Sequence, residues 1–506
     1  MIDTAALREK VLDLAIRGKL VPQDPNDEPA SVLLERIHEQ KLQMVREGKL
    51  KAKDVKDDTI IFKGDDNCYY EKFSDGSVKN IQDEIPFDLP DSWSWCRLNT
   101  ISKDIFAGGD KPSKISKVKT NNCPIAIYSN GTENNGLYGY TDIPRVNDVS
   151  ITVSARGTIG FCCVRKEPFV PIIRLITIIP SIGINETYLS YTFKAILETG
   201  NGSSIPQLTV PMVSPKLIPL PPYVEQLRIV DIIEKTIDIT NTLNKLADEV
   251  QALKSSLQSK ILELAIQGKL VPQDENDEPA SVLLERIRAE RKAKLGKKYV
   301  ESYIFKGDDN CYYEKVGSTV KNITDQIPFS IPQNWSFVRL KELAKVVSGV
   351  SYDKRDICND GIRIIRGGNI SNLSIVLLPD DVFLPQKYYD NEKEVKTEDI
   401  VIVASTGSKI AIGRPAFADK SFPQTQIGAF LRIVRPYVPN VYQYLKCLFA
   451  SNYYREHISD LVHGNTINNI KTEYLDEFII PFPPIHEQKE IANKVKILMD
   501  ILKGGD

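Results

Sequence analysis

The sequence predicts an α+β chain. It has two compact, mixed α/β insert domains joined by long antiparallel coiled-coil helices, in a circular, pseudo-two-fold arrangement. Three observations predict this: an internal repeat, a long uninterrupted helical pattern, and chain ends that fall at matching points of the repeat unit. At 506 residues the chain has room for about three to four folding units.

The repeat is explicit. LREKVLDLAIRGKLVPQDPNDEPASVLLERI at 7–37 matches LQSKILELAIQGKLVPQDENDEPASVLLERI at 257–287 with 25 of 31 positions identical. IFKGDDNCYYEK at 61–72 recurs unchanged at 304–315, and VKNIQDEIPFDLPDSWSWCRL at 78–98 matches VKNITDQIPFSIPQNWSFVRL at 320–340. IPLPPYVEQLRIV at 218–230 matches IPFPPIHEQKEIA at 480–492. Between these blocks, 99–217 and 341–479 share only echoes, such as ARGTIG at 155–160 against STGSKI at 405–410. Drift alone blurs all segments comparably, so the pattern indicates a constant frame around two inserts that do different versions of one job. The C-terminal segment stops about where the N-terminal segment starts within the unit. The second copy is therefore split between the two ends, and the termini are expected side by side.

The helix comes from residues 224–267, which contain neither Pro nor Gly. Val230, Ile233, Ile237, Leu243, Leu246, Val250, Leu253, Leu257, Ile261 and Leu264 form an apolar stripe at helical spacing. Such a helix is roughly 65 Å long, and its stripe requires another helix to pack on. Ile491, Val495, Leu498 and Leu502 at one end of the chain, with Leu7, Val11 and Leu14 at the other, offer that partner. Past Gly268, KLVPQDENDEPASVLLERI reads as a turn-rich linker and a short helix capped by Ser281 or Asp277, with Glu285 near its positive end. KGDDNCYYEK lacks calcium-loop spacing and reads as a structural lead-in. The inserts mix strand-like runs (DVSITVSARGTIGFCCV, FVPIIRLITIIP, GIRIIRGGNI, DIVIVASTG) with helices (NETYLSYTFKAIL, NVYQYLKCLFASNYY). The expected division is 1–60, 61–218, 219–303, 304–480 and 481–506.

A net charge of −2 argues at first against a nucleic-acid partner. Resolved by segment, residues 97–217 carry 13 Lys+Arg against 8 Asp+Glu, and 339–479 carry 18 against 17. The inserts are thus net +6 and the remainder −8. In the first insert Lys103, Lys111, Lys114, Lys117 and Lys119 cluster beside Asn121 and Asn122. In the second, Lys354, Arg355, Arg363 and Arg366 lie near Asn369. Basic residues, amides and Gly-rich turns suit phosphate positioning with base-edge contacts.

Eight Cys without a CxxC suggest reduced thiols and a cytoplasmic location. No apolar run of about 18 residues predicts a membrane span, and the N-terminus does not read as a secretory signal. Catalytic motifs are missing: GxxxxGK[ST], GxGxxG and HExxH do not occur, and His38, His457, His463 and His486 are dispersed. Leu220-Pro221-Pro222-Tyr223 has Leu where an amino-methyltransferase needs an acceptor. Pro379-Asp380 with Glu394-Val395-Lys396 mimics a nuclease metal site but has no counterpart in the first insert. No catalytic or metal residue is expected.

GKLVPQDENDEPASVLLERI, the helix opening PPxxEQxxI, the IPxxWxxxRL segment and the two-insert plan together resemble the specificity (S) subunits of type I restriction–modification enzymes, the HsdS family. The resemblance covers nearly the whole chain. It implies two target-recognition domains, each reading one half of a bipartite, asymmetric site in double-stranded DNA. It also implies helices that space the halves and dock two modification (methyltransferase) subunits. Those partners carry the S-adenosylmethionine chemistry, and restriction (translocase/nuclease) subunits add ATP- and Mg-dependent work, so this chain itself binds no cofactor. One departure is that the tail motif also stands at the N-terminus and is missing from the C-terminus. DNA contact is expected at Lys111, Lys114, Lys117, Asn121, Asn122, Arg156 and Thr158. In the second insert it is expected at Tyr352, Lys354, Arg355, Arg366, Asn369, Ser405, Thr406, Ser408 and Lys409. The competing readings are a stand-alone Mg-dependent nuclease using the Pro379-Asp380 patch and a non-specific DNA-binding scaffold.

Overall fold

The computed structural model describes residues 2–51, 55–199, 207–407, 411–463 and 469–504. The chain divides into two units, Met1–Ala247 and Asp248–Asp506. In chain order, unit 1 holds α1 (Thr4–Ile16), α2 (Ala30–Arg46), β1 (Ile60–Lys63), β2 (Tyr69–Lys72), β3 (Val78–Asn80), β4 (Ser94–Arg97), β5 (Ser102–Ala107), β6 (Ile125–Tyr128), β7 (Leu137–Thr141), β8 (Ser150–Val153), β9 (Cys162–Arg165), β10 (Phe169–Pro171), β11 (Ile176–Pro180), α3 (Glu186–Thr199), α4 (Val210–Val213) and β12 (Leu217–Leu220). The helix α5 (Tyr223–Ile266) begins in unit 1 and ends in unit 2. Unit 2 continues with α6 (Ala280–Leu295), β13 (Ser302–Lys306), β14 (Tyr312–Val316), β15 (Thr319–Asn322), β16 (Ser336–Arg339), α7 (Leu340–Leu343), β17 (Ala344–Ser348), β18 (Ile362–Ile365), β19 (Ile370–Ser371), β20 (Ser374–Ile375), β21 (Val382–Leu384), β22 (Ile400–Val403), β23 (Pro415–Phe417), β24 (Thr425–Ile427), β25 (Leu431–Pro436), α8 (Tyr442–Ala450), α9 (Asn452–His463), α10 (Thr472–Asp476), β26 (Ile479–Phe482) and α11 (Ile485–Lys503).

The two units repeat one plan. Unit 1 has sheets β1-β2-β3, β4-β12, β5-β11-β8-β9 and β10-β6-β7. Unit 2 has β13-β14-β15, β16-β26, β17-β25-β22-β23 and β24-β18-β21, plus the short pair β19-β20. Even the one parallel pair is shared: β6 lies parallel to β10, and β18 parallel to β24. The inserts, unrecognisable as relatives over most of their sequence, therefore share a topology. Each is sealed at its base by two adjacent antiparallel strands. Arg97 pairs with Leu217 in one unit and Arg339 with Ile479 in the other.

The repeated motifs are the parts that hold this frame. The Glu of PPxxEQ is buried and accepts the indole N–H of the Trp in the PxxWxxxRL that both units share: Trp93 Nε1 to Glu225 at 2.9 Å and Trp335 Nε1 to Glu487 at 2.7 Å. Gln23 and Gln273, from the repeated PQD, donate to the other oxygen of the same carboxylates. The following Gln226 and Gln488 donate to the carbonyls of Pro221 and Pro483 and so fix the helix start. Burial holds the Glu225 and Glu487 carboxyls above the usual range, with the hydrogen bonds opposing it. The Arg of the same motif forks onto the Glu of YYEK: Arg97 to Glu71, and Arg339 to Glu314. Gly18 and Gly268 take left-handed backbone (φ +67 and +68), and a Cβ on either would lie 2.4 or 2.5 Å from the ring of Pro90 or Pro332. Only Gly fits at these two positions.

Each half of α5 has its own partner. In unit 1, α1 runs antiparallel to it: Thr4 bonds Asn244, Arg8 bonds Thr240 and Asn241, and Val11 and Ala15 share a core with Ile229 and Ile233. In unit 2, Ile491 and Val495 of α11 share a core with Leu262, Ala265 and Ile266. The stripe expected to pack throughout is buried only toward its ends. Leu246, Val250, Leu253 and Leu257 are 51, 51, 64 and 52% exposed. The reason in unit 1 is length: α1 starts at Thr4, beside Asn244.

The expected cap of α6 also differs. Its N-cap is Pro279, with no side-chain capping bond, and Ser281 lies within the helix. The first N–H of the helix, on Ala280, donates to the Asn334 carbonyl, and Ala30 in unit 1 donates to Ser92 in the same way. The turn that leads into β16 or β4 supplies the acceptor that a capping side chain otherwise provides.

Candidate nucleic-acid interface

In each insert, one end of the two sheets carries a rim of loops. In unit 1, Gly109 bridges Ile172, Ile172 N donates to Tyr128, and Gly160 N closes the loop after β8 onto Ser154. Leu208 N then donates to the Ala155 carbonyl. In unit 2 the same set recurs. Val350 bridges Gly428, Gly428 N donates to Ile365, Gly413 N closes onto Val403, and Ile470 N donates to Ala404. Matching backbone bonds thus pair Ala155 with Ala404. The ARGTIG and STGSKI echo is real but shifted by one residue, so Arg156 corresponds to Ser405.

The close approaches explain the glycines here. A Cβ on Gly108 would lie 2.7 Å from the Pro171 backbone, and one on Gly349 2.1 Å from the Gly428 carbonyl oxygen. These glycines let the first rim loop cross over the next strand. Two residues beyond each bridge stand Lys111 and Tyr352, so these two expected contact residues occupy equivalent places.

Unit 1 gathers part of the predicted set and separates the rest. A concavity of about 430 Å³ is lined by residues including Ser129, Asn130, Tyr138, Arg156 and Thr158. Lys111 and Lys117 stand 4.6 and 4.8 Å from the Tyr138 ring, and Lys111 donates to its hydroxyl at 2.7 Å. That bond, and the positive charge behind it, lower the Tyr138 pKa. Lys111, Lys117, Arg156 and Thr158 therefore share one neighbourhood, whose lining also includes Glu133. Lys114 is instead paired with Asp142, just past the end of β7. Asn121 and Asn122 form the exposed turn between Thr120 and Cys123 that leads into β6. Both features lie at the opposite end of the β10-β6-β7 sheet, because residue 141 pairs with residue 125.

Unit 2 is similarly divided. Arg366 follows β18 on the rim, and its guanidinium donates to the Asp380 carbonyl. Ser405 and Thr406 sit in the loop after β22, where Ser405 bridges Asn469. Ser408 and Lys409 lie outside the described residues. Tyr352 packs beside Val350, Ile362, Ile364 and Leu384. Lys354 and Arg355 occupy an exposed turn. Arg355 is neutralised by Asp353 at 2.7 Å, and Asp356 of the same turn is held by Lys387 and Tyr388.

Asn369 is a correction. It is fully buried and its amide is spent: the oxygen accepts from Arg366 N, and the nitrogen donates to Val376 O and Asp381 Oδ1. It shapes the loop that carries Arg366 and presents nothing outward. The acids of the nuclease-like patch also have separate structural work. Asp380 faces Arg366 at 3.6 Å, while Glu394 accepts from Tyr389 and from the backbone of Gln424. Among the described residues no cluster of His, Cys, Asp or Glu could hold a metal ion.

Three rim residues escaped the sequence reading. Arg174 and Gln207 join Arg156: Gln207 Oε1 accepts from Arg156 Nη2 at 2.6 Å, from Arg156 Nε at 3.0 Å and from Arg174 at 3.5 Å. In unit 2, Asn469 holds the position of Gln207, and the buried Arg432 reaches its oxygen at 3.5 Å.

The comparisons with known proteins agree on one family. The family model described as the type I restriction modification DNA specificity domain matches residues 98–252 and 332–504. The chain is 28% identical over 576 residues to the type I restriction enzyme EcoAI specificity subunit of Escherichia coli, covering 97% of this chain and 88% of that one. It is 30% identical over 408 residues to the EcoEI specificity subunit of Escherichia coli, covering 67% and 61%. A solved chain from a study of complex assembly and conformational transition of the type I R-M system superposes with a TM-score of 0.52 at 16% identity, covering 83% of this chain and 93% of that one.

Proposed function

The chain belongs to the type I restriction–modification DNA specificity family, and from that premise we propose how its two inserts divide the task. It is a DNA sequence-specificity subunit, and the catalytic work belongs to other subunits of the system. In our reading the unit 1 insert contacts one half of a bipartite, asymmetric site in double-stranded DNA and the unit 2 insert the other. The observation that carries this is the pair of rims: one backbone plan built twice, with different side chains at equivalent places. Arg156 in unit 1 occupies the place that Ser405 holds in unit 2, and Lys111 the place of Tyr352. Equivalent scaffolds bring equivalent loops to the duplex, and different side chains select different base pairs.

Lys111, Lys117, Arg156 and Thr158 are the contacts we favour in unit 1, and Tyr352, Arg366, Ser405 and Thr406 in unit 2. Lys114, Asn121, Asn122, Lys354 and Arg355 are assigned to flanking backbone, and Ser408 and Lys409 remain candidates on the loop after β22. The exposed stripe on α5 is proposed to dock two modification subunits, which bring S-adenosylmethionine and extrude the target base. Restriction subunits would bring ATP- and Mg-dependent work. Among the described residues no helix is long and apolar enough to cross a membrane, and we place the complex in the cytoplasm with the DNA it reads.

The test is to map methylated adenines in a genome expressing this chain with its modification partner, before and after residues 99–217 are replaced by an unrelated insert. The expected result is a bipartite motif in which one half changes. A swap that alters both halves, or a motif without two parts, refutes the division of labour. Mg-dependent cutting by the purified chain, lost on Asp380→Ala, would restore the nuclease reading, and footprints without sequence preference the scaffold reading.

A further inference from the structure

We propose that Arg156, Arg174 and Gln207 form a donor-only cluster that reads a guanine through its major-groove edge in the half-site faced by unit 1. The inference rests on the specificity reading above and adds which base the cluster selects.

The first argument is charge. Both guanidiniums are exposed, and neither has a carboxylate within ion-pair range among the described residues. Lys103 and Lys114 of the same insert do, at Asp148 and Asp142. Two cations that converge on one neutral amide repel each other unless an electron-rich partner completes the site.

The second argument is hydrogen-bond polarity. Gln207 Oε1, the only acceptor in the group, is already occupied by both arginines. What remains are guanidinium N–H groups and the amide NH₂, all donors. In the major groove guanine offers two acceptors, N7 and O6, whereas adenine offers one acceptor beside a donor. A donor-only cluster complements guanine and leaves the adenine N6 donor facing another donor.

The third argument is backbone strain. Ile173 and Arg174 are both left-handed, at φ +53 and +59, a conformation that is costly for a β-branched residue. The turn is clamped on three sides. Ile173 N donates to Gly109 O, Arg174 N to Gly108 O, and Asn130 Nδ2 to Ile173 O. Asn130 Oδ1 meanwhile accepts from Ala155 N, next to Arg156. One buried-edge amide thus ties the loops of both arginines together, so that strain held by surrounding bonds positions Arg174 in advance.

Unit 2 lacks the device. Phe430 follows the same bridge where unit 1 has Arg174, Ser405 replaces Arg156, and the arginine near Asn469 is buried. The two halves are therefore read by different chemistry from one scaffold.

The experiment uses the chain assembled with its modification subunits. The half-site of unit 1 is the one that changes when 99–217 is exchanged. Each guanine of that half is replaced in turn by 7-deazaguanine, and binding to the unaltered protein is measured. One position is expected to lose roughly ten- to hundred-fold in affinity. In parallel, R156Q with R174Q is expected to make the methylated motif degenerate at that single G·C pair, with the other half unchanged. Uniform weakening with an intact motif and a shallower salt dependence would mean phosphate contact only and would overturn the proposal. So would a 7-deazaguanine series without any effect. A wild-type motif lacking two halves would overturn the specificity reading itself. A bipartite motif without guanine dependence overturns only the cluster.

Discussion

Arg339→Leu provides the sharpest test of how the frame is held. The guanidinium donates to both Glu314 oxygens at 3.2 and 2.8 Å, to Gln326 at 2.9 Å and to the Glu477 carbonyl at 2.6 Å. The side chains of Arg339 and Glu314 are 8 and 9% exposed. Removing the arginine leaves a buried carboxylate whose nearest remaining cation is Lys341, 4.0 Å away. Breaking one side of such a pair costs about 3–5 kcal/mol, and the residual lysine places this case near about 3 kcal/mol. For a unit of this size that corresponds to a fall in melting temperature of about 6–12 °C. Glu314→Leu added to Arg339→Leu removes the stranded charge and should recover part of the loss. Thermal unfolding followed by circular dichroism, with chemical denaturation for the free energies, closes the double-mutant cycle. If Arg339→Leu costs under about 1 kcal/mol, or the second substitution makes matters worse by the full amount, the network is not what joins the β14 hairpin to the insert base.

Four further outcomes are expected. Gly268→Ala should destabilise unit 2 by about 2 kcal/mol or more through strain and the Pro332 clash, whereas Gly48→Ala, also left-handed but open, should cost only about 1 kcal/mol; equal losses in urea melts would reject the steric argument. Because burial raises Glu225 and Glu487 above their unfolded values, the native state holds those protons more tightly. Stability from these groups therefore grows as pH falls through the folded pKa, and the ionisation penalty is fully present above it. The stability of wild type relative to Glu225→Gln should accordingly rise as the pH is lowered, and a relative stability that falls on acidification would contradict it. Val250→Asp with Leu253→Asp should weaken binding of modification subunits at least ten-fold in sedimentation, with an unchanged melting temperature for the isolated chain, since both side chains already face solvent. Burial pushes the Cys447 thiol up to about 12 and the Cys96 thiol well up; both should resist a thiol reagent at pH 8 until the chain unfolds, and rapid labelling of either would show that the core opens.

The frame was legible because it is written twice. Matching blocks 242 to 262 residues apart expose the Trp, Arg, Glu and Gly positions, and each holds a specific partner in the structure. The inserts were harder, since topology there is preserved by backbone bonds that no residue identity records. Asn369 looked like a reading residue because it sits in a basic, glycine-rich turn, yet the same composition suits an amide that closes a turn on itself. Arg174 was invisible for the opposite reason. It lies in PIIRLITII, an apolar run that reads as one buried strand, and only the left-handed turn at Ile173 and Arg174 brings it out. Ser281 has capping chemistry, but the helix start is already satisfied by the Asn334 carbonyl of the turn before β16. The apolar stripe of α5 was expected to be covered by the terminal helices along its whole length, but Leu246, Val250, Leu253 and Leu257 stay exposed, and in unit 1 the cover ends where α1 starts, at Thr4.

The paired strands at the base of each insert limit how it joins the frame. Because β4 adjoins β12 and β16 adjoins β26, an insert enters and leaves through one narrow seam. The frame residues that meet that seam, Trp93 and Arg97 in one unit and Trp335 and Arg339 in the other, are of the same types. An exchange cut at these strands therefore moves an insert with both of its edges already paired.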